Sequence, residues 1–241
     1  SPIPNPHNNY KYIYIYNFII IINLKQNYKI KIQNKMSNRD SLASEEDDDI
    51  KVILVGEMAT GKTSLINTAI GLEFKEKMPS TTTNSIMNKT IEIDGKPYTV
   101  NLWDTIGQEK YRTLTKIFMK DARIIIYVYD ITNLHSFNEL KFWFEFTKDV
   151  INEDTVLAVV GNKSDLFLKE TVKEEEGKKL ANEMGYEFAL TSAKNPIIFC
   201  NFLEKLVSMY ITRKEEGVND SKNTSQRIKG GKHKHKKKCC G

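Results

Sequence analysis

Apolar residues gather in short β-branched runs, separated by longer stretches with the three-to-four-residue spacing of helices, and this alternation holds from about residue 50 to 212. Ile50-Lys51-Val52-Ile53-Leu54-Val55 has the length and character of a strand, and Ser64 to Ile70 continues as a helix. Ile86 to Asp94 and Pro97 to Asp104 are two more strand-like runs, joined by Asp94-Gly95, a hairpin signal that predicts one antiparallel pair. Strands at Ile124 to Tyr129, Val156 to Gly161 and Glu187 to Leu190 then interleave with helical patterns near 135 to 150, 171 to 184 and 197 to 211. The predicted architecture is α/β: a six-stranded, mostly parallel sheet with one antiparallel edge strand and helices on both faces. Ligand sites in such sheets lie at the carboxyl ends of the strands. Gly161, at the end of its run, reads as a strand-end turn.

The two ends depart from this pattern. Residues 1–35 are rich in Asn, Tyr, Ile and Lys, and the apolar stretch Tyr10 to Ile22 is interrupted and short for a membrane span, which needs about 20 residues. The first methionine is Met36, so residues 1–35 read as translated upstream sequence and 1–49 as a disordered extension, a membrane-touching extension being the alternative. Charge follows the same division. Residues 1–35 carry five lysines and no acid, and 222–241 carry eight basic residues and no acid, which leaves 23 basic against 31 acidic between 36 and 221, a net of −8. An acidic body offers no basic face for nucleic acid, and none is expected as a partner. Three cysteines, Cys200 in an apolar stretch and Cys239-Cys240 near the end, form no disulfide framework and fit a reducing compartment.

The chemistry concentrates in Gly56-Glu57-Met58-Ala59-Thr60-Gly61-Lys62-Thr63, followed by Ser64. The spacing G-x-x-x-x-G-K-[ST] between a strand and a helix is that of a phosphate-binding loop, and it makes the fold a P-loop NTPase. The glycines let the backbone curl so that its N–H groups face phosphate oxygens. Lys62 reaches the β and γ phosphates and the Thr63 hydroxyl can ligate Mg²⁺. Asp104, closing a strand beside this loop, is placed to bind Mg²⁺ through water, and Gly107 can offer its N–H to a γ-phosphate. Asn162-Lys163-Ser164-Asp165 and Thr191-Ser192-Ala193-Lys194 follow the last two strands. A carboxylate such as Asp165 accepts two hydrogen bonds from guanine N1–H and its 2-amino group, a donor pair that adenine lacks. The Ala193 N–H suits the guanine O6, and the stems of Lys163 and Lys194 can cover the ring faces. An ATP-dependent enzyme would need another task for Asp165.

Over residues 50–212 these motifs, in this order, resemble the Ras superfamily of small GTPases and, within it, the Rab family. The Rab-like signs are Trp103-Asp104-Thr105, Lys110 to Thr115, Tyr127 to Thr132 and the terminal cysteine pair. The resemblance implies that Phe74 stacks on the guanine edge, that Thr81 ligates Mg²⁺ and binds the γ-phosphate, and that Gln108 orients the attacking water. Phe74 as an ordinary core aromatic and Thr82 in place of Thr81 stand as alternatives. Two positions depart from the family pattern. Ile106 stands where an alanine precedes the sensing glycine, and Met58 fills a loop position usually given to a small residue; both add bulk near the γ-phosphate and should slow hydrolysis or impair activation. Thr81 to Asn84 also lacks the usual Thr-Ile-Gly core, so effector identity does not transfer.

From residue 213 the pattern dissolves into a flexible basic tail ending Lys236-Lys237-Lys238-Cys239-Cys240-Gly241. The terminal pair resembles the double prenylation site of Rab proteins; a metal tract using His233 and His235 is the minor rival. Two lipid chains anchor stably where one is marginal. The resemblance therefore implies GTP and GDP as ligands, Mg²⁺ as cofactor, an exchange factor, an activating protein, a prenylation escort and effectors as partners, a monomer, and a lipid-anchored place on the cytoplasmic face of an intracellular membrane. A scaffold that binds GTP but hardly hydrolyses it is the alternative function.

Overall fold

Six strands form one sheet in the order β2-β3-β1-β4-β5-β6, in a computed structural model that describes residues 49–79, 81, 85–105 and 119–230, with side chains as far as Glu216. The strands are β1 (Ile50–Val55), β2 (Ser85–Ile93), β3 (Lys96–Asp104), β4 (Ile124–Asp130), β5 (Val156–Asn162) and β6 (Glu187–Leu190). Helices α1 (Lys62–Ala69), α2 (Leu134–Asn138), α3 (Leu140–Thr147), α4 (Glu174–Met184) and α5 (Pro196–Gly230) connect and cover them. β2 pairs antiparallel with β3 and every other pairing is parallel. The β2–β3 turn is made by Asp94 at φ 52 and Gly95 at φ 77, the two positive angles that a tight hairpin turn demands.

The central strands read as unbroken apolar runs because they are buried on both faces. Ile124, Ile126 and Val128 of β4 join Val52 and Leu54 of β1 in one core, closed by Leu65 and Ile66 of α1 and Phe199, Leu203 and Leu206 of α5. The intervening residues, Ile125, Tyr127 and Tyr129 with Ile53 and Val55, point into the opposite core with Trp143 and Phe144 of α3 and Ala181 of α4. Phe142, immediately before Trp143 in sequence, stays at the surface. Cys200 packs at the edge of the first core, its thiol 3.9 Å from the Ala69 carbonyl.

Three element boundaries differ from the sequence pattern. The helix expected over 135–150 is divided into α2, α3 and a 3₁₀ turn at Lys148–Val150, with Asn133 capping the first by accepting from the His135 and Ser136 N–H groups. The helix expected from 171 begins at Glu174, because the Thr171 and Val172 N–H groups are held by the Ile131 carbonyl at 2.8 and 3.1 Å. The last helix continues to Gly230, through residues assigned to a flexible tail. Arg213-Lys214-Glu215-Glu216 are good helix formers and no proline follows, and the helix passes the stop signal that Gly217 offers and runs on to Gly230. No helix among the described residues is long and apolar enough to cross a membrane.

Gly161 is not a turn. It lies inside β5, where an added Cβ would come within 2.6 Å of Leu190 Cδ2 and 2.7 Å of the Tyr129 hydroxyl. Its missing side chain makes room for the Tyr129 ring, which Gly177 of α4 accommodates from the other side.

Candidate nucleotide-binding site

The chain leaves β1 to pair β3 on one side and returns to pair β4 on the other, so a crevice opens at the carboxyl end of β1. The loop Gly56–Gly61 fills its mouth. Gly56 has φ 146 and lies so close to β4 that a Cβ would overlap the Val128 carbonyl oxygen. Ala59 sits in the left-handed region at φ 64, and Gly61 at φ 92 hands the chain to α1. Thr60 is buried, its hydroxyl donating to the Glu57 carbonyl at 3.0 Å. Lys62 is buried with its Nζ donating to the carbonyls of Gly56 and Glu57, both at 2.8 Å. Burial pulls its pKa down to about 8, against the opposing pull of Asp104 and Glu57. A desolvated ammonium at the centre of the loop is a place for anionic oxygen. Ser64 is half-buried in the first turn of α1, whereas Met58 is 52% exposed at the loop's outer rim.

Beside the loop, Thr63, Thr81 and Asp104 converge. The Thr63 hydroxyl lies 2.7 Å from the Thr81 hydroxyl and donates to Asp104 Oδ2 at 2.7 Å. Asp104 is buried and its Oδ1 has no hydrogen-bond partner. Burial pushes the Asp104 pKa up, with Thr63, Lys62 and Thr81 opposing. No cluster of three His, Cys, Asp or Glu side chains exists among the described residues. One carboxylate and two hydroxyls are instead hard oxygen donors of the kind that suits Mg²⁺, an ion that keeps waters and takes phosphate oxygens as further ligands. The orphaned Oδ1 is the observation that fits a cation here.

The second half of the site comes from β5 and β6. Asp165 Oδ1 accepts from the Ser192 hydroxyl at 2.5 Å, and Oδ2 pairs with Lys194 Nζ at 3.1 Å. Desolvation raises the Asp165 pKa, but the bonds from Ser192 and Lys194 outweigh it and hold the carboxyl below its usual range. Ala193 is buried between them. Phe74 is 37% exposed rather than a core residue, with Lys194 Nζ 5.7 Å from its ring centroid. Lys163 is in the left-handed region at φ 65, its Nζ 2.6 Å from Asp130 Oδ2.

The two halves are tied directly. Asn162 Nδ2 donates to the Thr60 carbonyl at 2.8 Å, across 102 residues of sequence, and a Cβ on Gly61 would overlap that same nitrogen. Sequence spacing flagged Asn162 as a nucleotide residue; only the fold shows it lacing one loop to the other. Asp130 lies in the Rab-like run Tyr127 to Thr132, which assigns it no role at the site; an acid closing a buried strand at the carboxyl edge is the signal for one. Ile106, Gly107, Gln108, Thr82, Cys239 and Cys240 lie outside the described residues.

A sequence model of the Ras family matches residues 51–211. The Ras-related protein SEC4 of Saccharomyces cerevisiae is 34% identical over 198 residues, covering 79% of this chain and 91% of that protein. The Ras-related protein Rab-26 of Rattus norvegicus is 37% identical over 151 residues, 60% of this chain and 57% of that one. The Ras-related protein Rab-8B of Homo sapiens is 35% identical over 171 residues, 71% and 83% respectively.

Proposed function

The chain belongs to the Ras family of small GTPases, in its Rab branch, and on that premise we propose that it is a GTP/GDP switch in vesicle trafficking that binds GTP with Mg²⁺ and slowly hydrolyses it to GDP. The observation that carries the reading is the Asn162–Thr60 bond, which ties the loop proposed to cradle the triphosphate to the strand end that leads into Asp165. Lys62 neutralises charge on the β and γ phosphates, the loop N–H groups orient them, and Asp165 with Ala193 and Lys194 selects the base. Thr63, Thr81 and Asp104 would hold the cation. Bound there, Mg²⁺ would supply positive charge that offsets the negative charge developing on the phosphates. Gln108 is assigned the attacking water and Gly107 the γ-phosphate, both by family resemblance. Competition binding tests the reading: GTP and GDP should displace a fluorescent guanine nucleotide at concentrations at least about 10³-fold below ATP, in line with sites that read a base by buried polar groups. Equal displacement by ATP would remove it.

Exchange factor, activating protein, prenylation escort and effectors are the partners this reading calls for, with Cys239 and Cys240 as the lipid acceptors. The basic tail would add attraction to an anionic leaflet of about 1 kcal/mol per lysine near the surface.

A second reading, a GTP-binding scaffold with little hydrolysis, is favoured by Met58, whose exposed side chain stands on the rim of the phosphate loop. Ras-type switches hydrolyse GTP alone at rates on the order of 10⁻⁴ s⁻¹. Met58→Ser should raise the single-turnover rate by about tenfold if the methionine crowds the transition state. A rate moved by neither Met58→Ser nor Ile106→Ala would end the steric explanation.

A further inference from the structure

The lysine of the base-reading loop has a partner that the nucleotide chemistry does not call for. Asp130 ends β4 and is the register neighbour of Asn162 in β5, so the sheet itself sets this acid beside the residue that follows, Lys163. The acid is immobilised from three directions. Its Oδ1 accepts from both the N–H and the hydroxyl of Thr132 at 2.8 Å, and its own N–H donates to the Ser136 hydroxyl at 3.0 Å. Ser136 is in turn anchored by donating to the Asn133 carbonyl at 2.7 Å. That leaves Oδ2 for Lys163 Nζ, at 2.6 Å, with the Asp130 side chain 8% exposed and that of Lys163 32% exposed. The lysine stem runs past the phosphate loop, its Cε 3.9 Å from where a Gly61 Cβ would stand.

We infer that Asp130 is a positioning residue for nucleotide retention: it pins the Lys163 ammonium so that the stem lies beside the phosphate loop, ready to cover the purine. The inference rests on the guanine-nucleotide reading above. A lysine stem left free loses rotamer entropy when it is ordered. Held beforehand by a rigid acid, much of that loss no longer weighs against binding. Lys194 does not compete for the acid, because its own ammonium is held by Asp165.

The test is the release rate of a fluorescent GDP analogue from the full chain carrying Asp130→Asn, Lys163→Met or both. Asparagine keeps an acceptor for Thr132 and removes the charge facing Lys163. Asp130→Asn should speed release about tenfold, the size expected for losing one hydrogen bond to a charged group. It should add nothing in the Lys163→Met background, and Asp130→Glu, which keeps the charge, should release more slowly than Asp130→Asn. Release unchanged in Asp130→Asn, or accelerated equally in both backgrounds, or as fast in Asp130→Glu as in Asp130→Asn, would overturn the inference while leaving the guanine reading intact. A wild-type chain that retains no GDP would overturn both.

Discussion

Asp165→Asn is expected to lower the affinity for GTP and GDP by roughly 10²- to 10⁴-fold, without a matching gain for ATP. The carboxylate already accepts from Ser192 on one oxygen and pairs with Lys194 on the other, and each oxygen keeps a further lone pair for a donor. Guanine N1–H and its amino group are such a donor pair. An asparagine replaces one acceptor with an N–H₂ donor, so a repulsive contact is added to the lost charge. The sign of the pH dependence follows from the same geometry. Ser192 and Lys194 hold the Asp165 carboxyl below the usual range against the effect of its desolvation. Its charge is therefore retained as pH falls from 7 to 5 and is lost only below the normal carboxylate range. Equilibrium titration with fluorescent GDP at both pH values checks this: wild-type affinity attributable to Asp165 should be unchanged, and a variant binding within threefold of wild type would refute the assignment.

Lys62→Met should remove a comparable share of binding, about 10²- to 10⁴-fold for the di- and triphosphates, with little discrimination between bases. The ammonium donates to two loop carbonyls at 2.8 Å, so it stands within the curl of the loop where phosphate oxygens would lie. Two charge-assisted hydrogen bonds to phosphate, at about 1.5–3 kcal/mol each, account for the size of the loss. Methionine keeps a similar stem, so the core beneath α1 is left filled. Release kinetics of GDP together with thermal unfolding separate the two effects: near-normal unfolding with fast release is the expected result. Retained affinity would mean that the backbone N–H groups alone hold the phosphates.

Much of this architecture was legible because its signals are local. β-branched runs of four to nine residues, Asp94-Gly95 and the glycine spacing around Lys62 each encode their own conformation through φ, ψ and side-chain sterics, and all six strands fall within one residue of their expected bounds at each end. Helix boundaries were less legible. Where α4 begins is decided by the Ile131 carbonyl, which captures two N–H groups from another part of the chain, and no propensity contains that bond. Gly161 shows the same limit, since its local sequence suits a turn while the space it vacates belongs to Tyr129 and Leu190.

The sequence by itself determined the order of the elements and the spacing of the loop proposed to hold phosphate and of the two motifs proposed to read the base, because each is written in contiguous residues. Tertiary structure alone decided how distant pieces share one site: Asn162 on Thr60, Thr63 between Thr81 and Asp104, Lys163 on Asp130, Ser192 on Asp165. Those contacts join residues from 18 to 102 positions apart, and the parallel register of β1, β3, β4, β5 and β6 brings most of them together. Register is a property of packed strands, not of any one of them.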